Sequence, residues 1–173
     1  SYPEQCEGLM LRGIFMLRKK EINWFYKEGA SNIYPDEWEL FLKPIPKNEQ
    51  DDLVAAYYKR LISSDETIRK EAAKSWSIWE ASTSKLFQSQ NYLHHFDDDK
   101  IAEAFSRIEC HYFINGGFFQ SENWILYNVD KIRHIPTVII QGRYDVVCPM
   151  VSAWDLHRAF PEAEFEIVQD AGH

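Results

Sequence analysis

Two short apolar runs near the end of the sequence constrain the fold more than any other feature. Residues 137–140 (TVII) are rich in β-branched side chains and end at a Gln-Gly pair, and residues 165–168 (FEIV) form a second such run. The segment between them, from Pro149 to Phe160, has the length of a helix and begins with a proline. Strand, helix and strand of these lengths predict a right-handed parallel crossover. The chain is therefore predicted to contain part of an α/β sheet.

An earlier apolar run, residues 8–17 (GLMLRGIFML), predicts a buried strand inside the same sheet, because two glycines interrupt it and disfavour a helix. The sequence between residues 19 and 133 follows helical periods instead. Ser63 and Glu66 have capping-box spacing ahead of a helix with a face of Trp76 and Trp79. The other predicted helical segments cover residues 19–28, a short turn within 34–46, residues 48–62, a helix from the aspartates at 97–99 to the glycines at 116 and 117, and residues 124–132.

These elements predict an α/β fold with a partial parallel sheet and an all-helical cap inserted into it. Residues 1–18 are expected to carry one core strand. Residues 19–135 are expected to form the cap. Residues 136–173 are expected to return to the core with a strand, a helix and a strand, and to end at a histidine.

Composition limits the classes of function. The 173 residues are 45% apolar and 15% aromatic, which is enough for a sizeable core. No apolar run reaches the roughly 18 residues that a membrane span needs. The net charge of -8 disfavours nucleic acid and anionic membranes as partners. Three cysteines without C-x-x-C spacing predict reduced thiols in an intracellular, cytoplasmic protein.

Asp145 and His173 are the strongest candidates for chemistry. Each follows the C-terminal end of a predicted parallel strand, and open α/β sheets form their sites at this edge. Taken singly, Asp145 also suits a turn or a helix cap, and a loop histidine is commonly only solvated. Taken together, a carboxylate after one strand and an imidazole after the next match the acid and the base of a serine hydrolase.

That chemistry needs a nucleophile, and the sequence contains no G-x-S-x-G elbow. Where this elbow is used, the chain order is serine, then the acid, then histidine. The serine is therefore expected before residue 1, and the chain is expected to be part of a longer protein.

Two glutamates stand among aromatic residues in the helical segment. Glu80 follows Trp76 by four residues and is next to Trp79, and Glu109 has Phe105 and Phe113 four residues away on either side. A carboxylate on an aromatic face is unfavourable unless a cation meets it. One interpretation is that each glutamate pairs with Arg107 or Lys74 or points to solvent. The other is a pocket in which two carboxylates receive a substrate ammonium group.

Other candidates are weaker. His94 and His95, followed by the aspartates at 97–99, suggest a metal site. A contiguous run cannot surround one ion, however, and acids at a helix N-terminus explain the pattern better. Cys148 is close to Asp145 and is predicted to line a pocket, but no base stands beside it to make it a nucleophile.

The residues resemble a known family, the prolyl aminopeptidases or proline iminopeptidases of the α/β-hydrolase superfamily (peptidase family S33). The resemblance runs the full length of the chain. GRYD followed by a loop histidine is general to the superfamily, whereas WSIWE and the IECHYF helix are far more particular to this family. The segments that carry it are LRGIF at 11–15, WSIWE at 76–80, RIECHYF at 107–113, GRYDVVCP at 142–149 and the terminal DAGH.

The resemblance implies roles for six residues. Asp145 would be the acid of the catalytic triad and His173 its general base, and peptides with an N-terminal proline would be the substrates. Glu80, Glu109, Phe113 and Cys148 would bind the substrate: the glutamates hold the imino group, Phe113 packs on the pyrrolidine ring, and Cys148 is a thiol beside the pocket. No metal or organic cofactor is implied. The family's HGGPG strand and serine elbow are missing, so this chain alone is expected to be inactive.

Two alternatives stay open at this level. Another capped α/β-hydrolase, such as an epoxide hydrolase or an esterase, would share the core but act on uncharged substrates. A noncatalytic binding module made mostly of the cap would need neither Asp145 nor His173. The oligomeric state does not follow from the sequence.

Overall fold

The computed structural model describes residues 2–87 and 98–173, and these residues contain a sheet of three parallel strands. The strands are β1 (Leu9–Arg12), β2 (Thr137–Gly142) and β3 (Glu164–Val168), in the spatial order β1-β2-β3. Leu9 pairs with Thr137, and Val138 pairs with Glu164. The parallel α/β sheet predicted from the apolar runs is confirmed.

The first strand is shorter than the sequence predicts. Regular strand structure ends at Arg12, because Gly13 adopts a φ of +56° and turns the chain. Within the described ranges β1 pairs with β2 alone, and the side chain of Met10 is 77% exposed. The prediction of one buried strand over residues 8–17 is therefore wrong in its length. The turn at Gly13 directs the following residues toward the site described below.

The part of the chain that the structure describes contains seven α-helices, six of them between β1 and β2. They are α1 (Lys19–Tyr26), α2 (Pro35–Leu42), α3 (Leu53–Leu61), α4 (Glu66–Ser84), α5 (Asp99–Ile114), α6 (Trp124–Tyr127) and α7 (Met150–Ala159). Helix α7 follows Pro149 and connects β2 to β3, as predicted. Among the described helices, none is both long enough and apolar enough to cross a membrane.

Aspartates cap the starts of α3 and α4. The carboxylates of Asp52 and Asp65 accept hydrogen bonds from backbone N–H groups in the first turns of these helices. Helix α3 consequently begins at residue 53 and not at residue 48 as predicted. The predicted capping box of Ser63 with Glu66 is also wrong, because the Ser63 hydroxyl accepts a hydrogen bond from the Asp65 N–H at 3.1 Å.

Asp98 caps α5 in the same way, accepting hydrogen bonds from the N–H groups of Lys100 and Ile101. This agrees with the interpretation of residues 97–99 as acids at a helix N-terminus. The histidines at 94 and 95 and the aspartate at 97 lie outside the described residues.

The helices between β1 and β2 enclose an aromatic core. Trp76 and Trp79 of α4 are fully buried, as the predicted tryptophan face requires. Tyr26 of α1 stacks on Trp76 with ring centroids 4.5 Å apart, and Phe41 of α2 stacks on Tyr57 of α3 at the same separation. Burying one such ring contributes about 2–3 kcal/mol. The core therefore fixes α1 to α4 relative to one another.

A second apolar cluster forms around the sheet. Ile139 of β2 and Phe160, just after α7, are fully buried there together with Val129. Ile125 of α6 packs against the same cluster, so the last helical stretch before β2 joins the packing of the sheet. The division of the chain at residues 18 and 135 stays a prediction.

A buried ion pair holds the start of α1 against α7. Glu21 forms a salt bridge with Arg18 at 2.6 Å and accepts hydrogen bonds from the Met16 N–H and the Ser152 hydroxyl. Arg18 also contacts Asp155 of α7 at 2.8 Å. The buried guanidinium of Arg18 and the buried carboxylate of Glu21 each have several polar partners, which offset the cost of removing these charges from water. This network fixes the point where the chain leaves the sheet and enters the helices.

Candidate active site

Asp145 and His173 lie side by side at the carboxyl edge of the sheet. Asp145 follows β2 and His173 follows β3, and the Nδ1 atom of His173 lies 3.0 Å from Oδ2 of Asp145. The carboxylate is buried, whereas the imidazole is about one-third exposed. The sequence predicts this proximity, since neighbouring parallel strands end at the same edge.

Close contact between two backbone segments brings these residues together. A Cβ atom at Gly142 would lie 2.1 Å from the carbonyl oxygen of Gly172, so only glycine fits at this position. Tyr144 donates its N–H to the carbonyl of Ala171, which joins the turn after β2 to the residues before His173. The loop carrying the acid and the loop carrying the base are therefore in direct contact.

Asp145 has further hydrogen-bond partners besides the histidine. Its Oδ1 accepts the N–H of Cys148 at 2.8 Å, and its Oδ2 accepts from the Gln141 side-chain amide at 3.0 Å. These bonds fix both carboxylate oxygens, so the carboxylate presents one orientation to His173.

Gln141 is a residue that the sequence analysis missed. It is fully buried on β2, and its amide nitrogen donates to Asp145 and to the Cys148 carbonyl. Its amide oxygen accepts the N–H of Ile14 at 3.2 Å, in the turn after β1. The sequence feature that could have identified Gln141 is its polar side chain at a buried position of a strand, since each buried polar atom needs a hydrogen-bond partner. In the sequence, Gln141 marks only the end of the apolar run at residues 137–140.

His173 is held from two more directions. Its backbone N–H donates to the carbonyl of Ser84, the last residue of α4, at 3.0 Å. Its ring lies against Gly13, where a Cβ atom would be 2.7 Å from the imidazole Cε1. Among residues 2–87 and 98–173, no side-chain hydroxyl or thiol forms a hydrogen bond with the His173 ring.

Glu80 and Glu109 are bound by aromatic donors. The Tyr26 hydroxyl donates to Glu80, and the Trp76 indole N–H donates to Glu109 at 2.7 Å. Neither glutamate forms an ion pair with a lysine or arginine in the described ranges, and Arg107 pairs with Glu103 instead. Glu80 is buried and Glu109 is partly buried. The interpretation that these glutamates pair with Arg107 is therefore wrong, and so is the interpretation that Glu80 points to solvent.

Burial raises the pKa of both carboxyl groups. It raises the pKa of Glu80 well above the ordinary value, and the nearby Glu109 raises it further, while the hydrogen bond from Tyr26 opposes this. Burial raises the pKa of Glu109 to about 7, against the lowering effects of Trp76 and of His173. Two carboxylates in this environment favour a bound cation, because a cation stabilises their ionised forms.

A cavity of about 310 Å³ joins these features. Five of the six predicted site residues line it, and Asp145 lies behind His173. Four aromatic residues that the sequence analysis had not assigned to a site also form its walls. The predicted residues are Glu80, Glu109, Phe113, Cys148 and His173, and the additional aromatic ones are Phe15, Phe25, Tyr26 and Phe105.

The Cys148 thiol is buried beside the pair of Asp145 and His173. Burial raises its pKa strongly, and the Asp145 carboxylate raises it further. The thiol is therefore protonated at neutral pH, which disfavours Cys148 as a nucleophile. Its location on the cavity wall agrees with the prediction from sequence.

Fold and site together define a class of protein. The family described as alpha/beta hydrolase fold matches residues 1–173, and the chain belongs to that family. A carboxylate and an imidazole after successive parallel strands, under a helical segment, are consistent with this membership.

Comparison with curated proteins gives closer similarities. The chain is 60% identical over 173 residues to a Leptolyngbya boryana protein named "Probable proline iminopeptidase", covering 100% of this chain and 54% of the relative. It is 58% identical to the proline iminopeptidase of Arabidopsis thaliana, and the match covers 100% of this chain and 46% of that relative. It is 46% identical to the proline iminopeptidase of Neisseria gonorrhoeae, and the match covers 100% of this chain and 54% of that relative. The chain thus spans about half the length of these relatives.

Proposed function

We propose that this chain is the substrate-binding and acid–base part of a serine aminopeptidase that releases proline from the N-terminus of peptides. The observation that carries the proposal is a pair of glutamates, Glu80 buried and Glu109 partly buried, on the cavity that His173 also lines. These glutamates receive hydrogen bonds but no cationic partner in the described residues. The names of the similar proteins support the same activity.

The proposed reaction is acyl transfer. A serine from the part of the protein outside this chain attacks the carbonyl carbon of the N-terminal proline. His173 takes the serine proton and returns it to the leaving amine, and Asp145 orients the imidazole through its Nδ1–H. Backbone N–H groups outside this chain would stabilise the oxyanion.

The proposed specificity follows from charge and shape. The protonated imino group of an N-terminal proline pairs with Glu80 and Glu109, which form no ion pair with a lysine or arginine in the ranges 2–87 and 98–173. The pyrrolidine ring packs among aromatic side chains, where Phe15 and Phe113 lie with ring centroids 5.3 Å apart. A proline inside a peptide has an uncharged amide nitrogen and would leave both carboxylates without a cation. The enzyme would therefore act on peptide ends.

A cytoplasmic location belongs to the same proposal. All three cysteines, at positions 6, 110 and 148, are free thiols, and two of them are buried. Free thiols are typical of proteins in a reducing compartment.

The test uses the complete protein carrying Glu80→Gln or Glu109→Gln and a proline arylamide as substrate. Loss of one buried carboxylate from a charge pair costs roughly 2 kcal/mol or more, so kcat/KM should fall about 30-fold or further. Glu103→Gln is the matched control, because Glu103 lies on α5 but pairs with Arg69 and Arg107 away from the cavity. The control should retain most of its activity.

A neutral ester substrate separates the alternatives. An epoxide hydrolase or esterase under the same cap would turn over uncharged substrates and would be indifferent to both glutamates. Unchanged hydrolysis of the proline arylamide by both Gln variants would refute the proposed role of the glutamates.

A further inference from the structure

Three different metal-ligating side chains converge at the edge of the cavity. One ligand atom each from Asp145, Cys148 and His173 lies within 4.8 Å of the other two. Within the ranges 2–87 and 98–173, these residues form the single group of three or more His, Cys, Asp or Glu side chains close enough to share an ion. The two other cysteines, Cys6 and Cys110, belong to no such group there.

We infer that Asp145, Cys148 and His173 form a binding site for an inhibitory thiophilic divalent cation such as Zn²⁺. Carboxylate oxygen, thiolate sulfur and imidazole nitrogen are the three ligand types that zinc uses in proteins. The fourth position of a tetrahedral site would face the cavity, which Cys148 and His173 line, and would be filled by water. Magnesium and calcium prefer sites made of oxygen ligands and should not bind here.

Small movements would complete the coordination geometry. The Nδ1 atom of His173 and Oδ2 of Asp145 are 3.0 Å apart. With zinc–nitrogen and zinc–oxygen bonds of about 2.0–2.1 Å at a tetrahedral angle, these atoms would be about 3.3 Å apart. A zinc–sulfur bond of about 2.3 Å requires the sulfur to approach each of them to about 3.6 Å. Rotation of the Cys148 side chain would bring the sulfur toward this position.

The surroundings supply negative charge for the ion. Glu80 and Glu109 line the same cavity and have no lysine or arginine partner in the described part of the chain. A divalent cation beside this cavity would be attracted by Asp145 and by the ionised forms of Glu80 and Glu109, which a cation stabilises. The open side of the cavity gives an ion from solvent a path to the thiol.

Binding would block the proposed general base by a defined exchange of protons. The Cys148 sulfur loses its proton to solvent when the metal–sulfur bond forms. The metal replaces the proton on Nδ1 of His173, and that proton is carried by Nε2 in the metal-bound imidazole. Nε2 then has no free lone pair and cannot accept a proton from a serine. No oxidant or reductant takes part, and removal of the metal by a chelator reverses the exchange.

The experiment uses the complete protein and Co²⁺ as a spectroscopic probe for Zn²⁺. One equivalent of Co²⁺ should give a thiolate-to-cobalt charge-transfer absorption, which Zn²⁺ should abolish and Mg²⁺ should leave unchanged. The absorption should be lost in Cys148→Ser and should persist in the double variant Cys6→Ser/Cys110→Ala. The double variant tests the site even if Cys148→Ser fails to fold, since it leaves Cys148 as the one cysteine of this chain.

Inhibition is measured separately, as the rate with Zn²⁺ relative to the metal-free rate of the same variant. Zn²⁺ should inhibit the unmodified protein, EDTA should restore its activity, and Cys148→Ala should weaken the inhibition at least tenfold. Absence of the charge-transfer absorption, or its persistence in Cys148→Ser, would overturn the metal site. The absorption does not depend on any substrate, so failure of the metal site and failure of the proposed peptidase activity are distinguishable.

Discussion

The side-chain amide nitrogen of Gln141 lies 3.0 Å from Oδ2 of Asp145, the same oxygen that faces Nδ1 of His173. Through its amide oxygen, Gln141 also accepts the N–H of Ile14, in the turn after β1. One buried side chain therefore fixes the carboxylate of the candidate dyad relative to the neighbouring strand. Among the described residues Gln141 forms no hydrogen bond with the His173 ring, so its effect on the reaction would act through Asp145.

Replacing Gln141 with methionine should lower kcat with little change in KM. Methionine is about as long as glutamine but apolar, so it leaves the Ile14 N–H and the Cys148 carbonyl without this partner and Asp145 short of one donor. An unsatisfied buried group costs about 1–3 kcal/mol of stability. Misorientation of Asp145 should lower kcat by about tenfold to a hundredfold. Steady-state kinetics at a temperature well below the melting point check this.

The control for this variant is Gln120→Met, at an exposed position. It should leave both kcat and stability close to those of the unmodified protein. A fall in stability of Gln141→Met without any fall in kcat would show that Gln141 serves the fold and not the orientation of Asp145.

Tyr26→Phe should move the pH dependence of kcat/KM for a proline arylamide to higher pH. The Tyr26 hydroxyl donates to Glu80 and holds down a pKa that burial raises. Without this donor the Glu80 carboxyl stays protonated to higher pH and binds the substrate cation less well below that pH. The rising limb of the profile should shift upward by a measurable fraction of a pH unit.

Tyr57→Phe is the matched control for the loss of a buried phenol hydroxyl. Its hydroxyl donates to the Phe41 carbonyl at 2.5 Å, inside the aromatic core and away from the glutamates. The two variants should lose comparable stability, but only Tyr26→Phe should shift the pH profile. Equal profiles for both variants would contradict the role given to Tyr26.

The edge of the sheet where the site lies could be predicted because strand direction decides it. Residues 137–140 and 165–168 are short β-branched runs joined by one helix, and such a unit gives parallel strands. Asp145 and His173 then have to lie near one another. The aromatic face of α4 was predictable for a similar reason, since Trp76 and Trp79 recur at helical spacing.

The partners of these residues could not be predicted, because they come from segments distant in sequence. Glu80 meets Tyr26 of α1, 54 positions earlier, and Gln141 meets Ile14, 127 positions earlier. Local spacing carries no information on such pairs. The capping of α4 was mispredicted for a local reason: Ser63 and Asp65 are both good N-cap residues, and only the backbone geometry selects Asp65.

Stability should depend on pH through Glu109. Its pKa in the folded protein is about 7, above the ordinary value of 4.5, because burial disfavours the carboxylate. The folded state therefore binds more protons than the unfolded state between these values, and stability falls as pH rises through this window. Glu109→Gln should remove this loss, so the variant should gain stability relative to the unmodified protein from pH 5 to pH 8.

Thermal denaturation of both proteins at several pH values measures this difference. At pH 8 the free energy of unfolding of Glu109→Gln should exceed that of the unmodified protein by about 1–3 kcal/mol. One pKa unit corresponds to about 1.4 kcal/mol, and the partial exposure of Glu109 reduces the effect. Glu103→Gln should instead lose stability at neutral pH, because it removes the partner of Arg69 and Arg107. A difference between the unmodified protein and Glu109→Gln that does not vary with pH would rule out this explanation.

Gly142→Ala should abolish most activity, whereas Gly116→Ala should not. A Cβ atom at Gly142 would lie 2.1 Å from the Gly172 carbonyl oxygen, so the backbone just before His173 must move. A Cβ atom at Gly116 meets nothing within 4 Å, but its φ of +57° makes alanine strained there by about 1–2 kcal/mol. Both variants should therefore be destabilised, and only Gly142→Ala should lose kcat by about a hundredfold or more, through displacement of His173 from Asp145.

Melting temperatures and kcat measured on the same preparations separate the two effects. If Gly142→Ala kept its activity, the contact between the two loops would not be what holds the histidine beside the carboxylate.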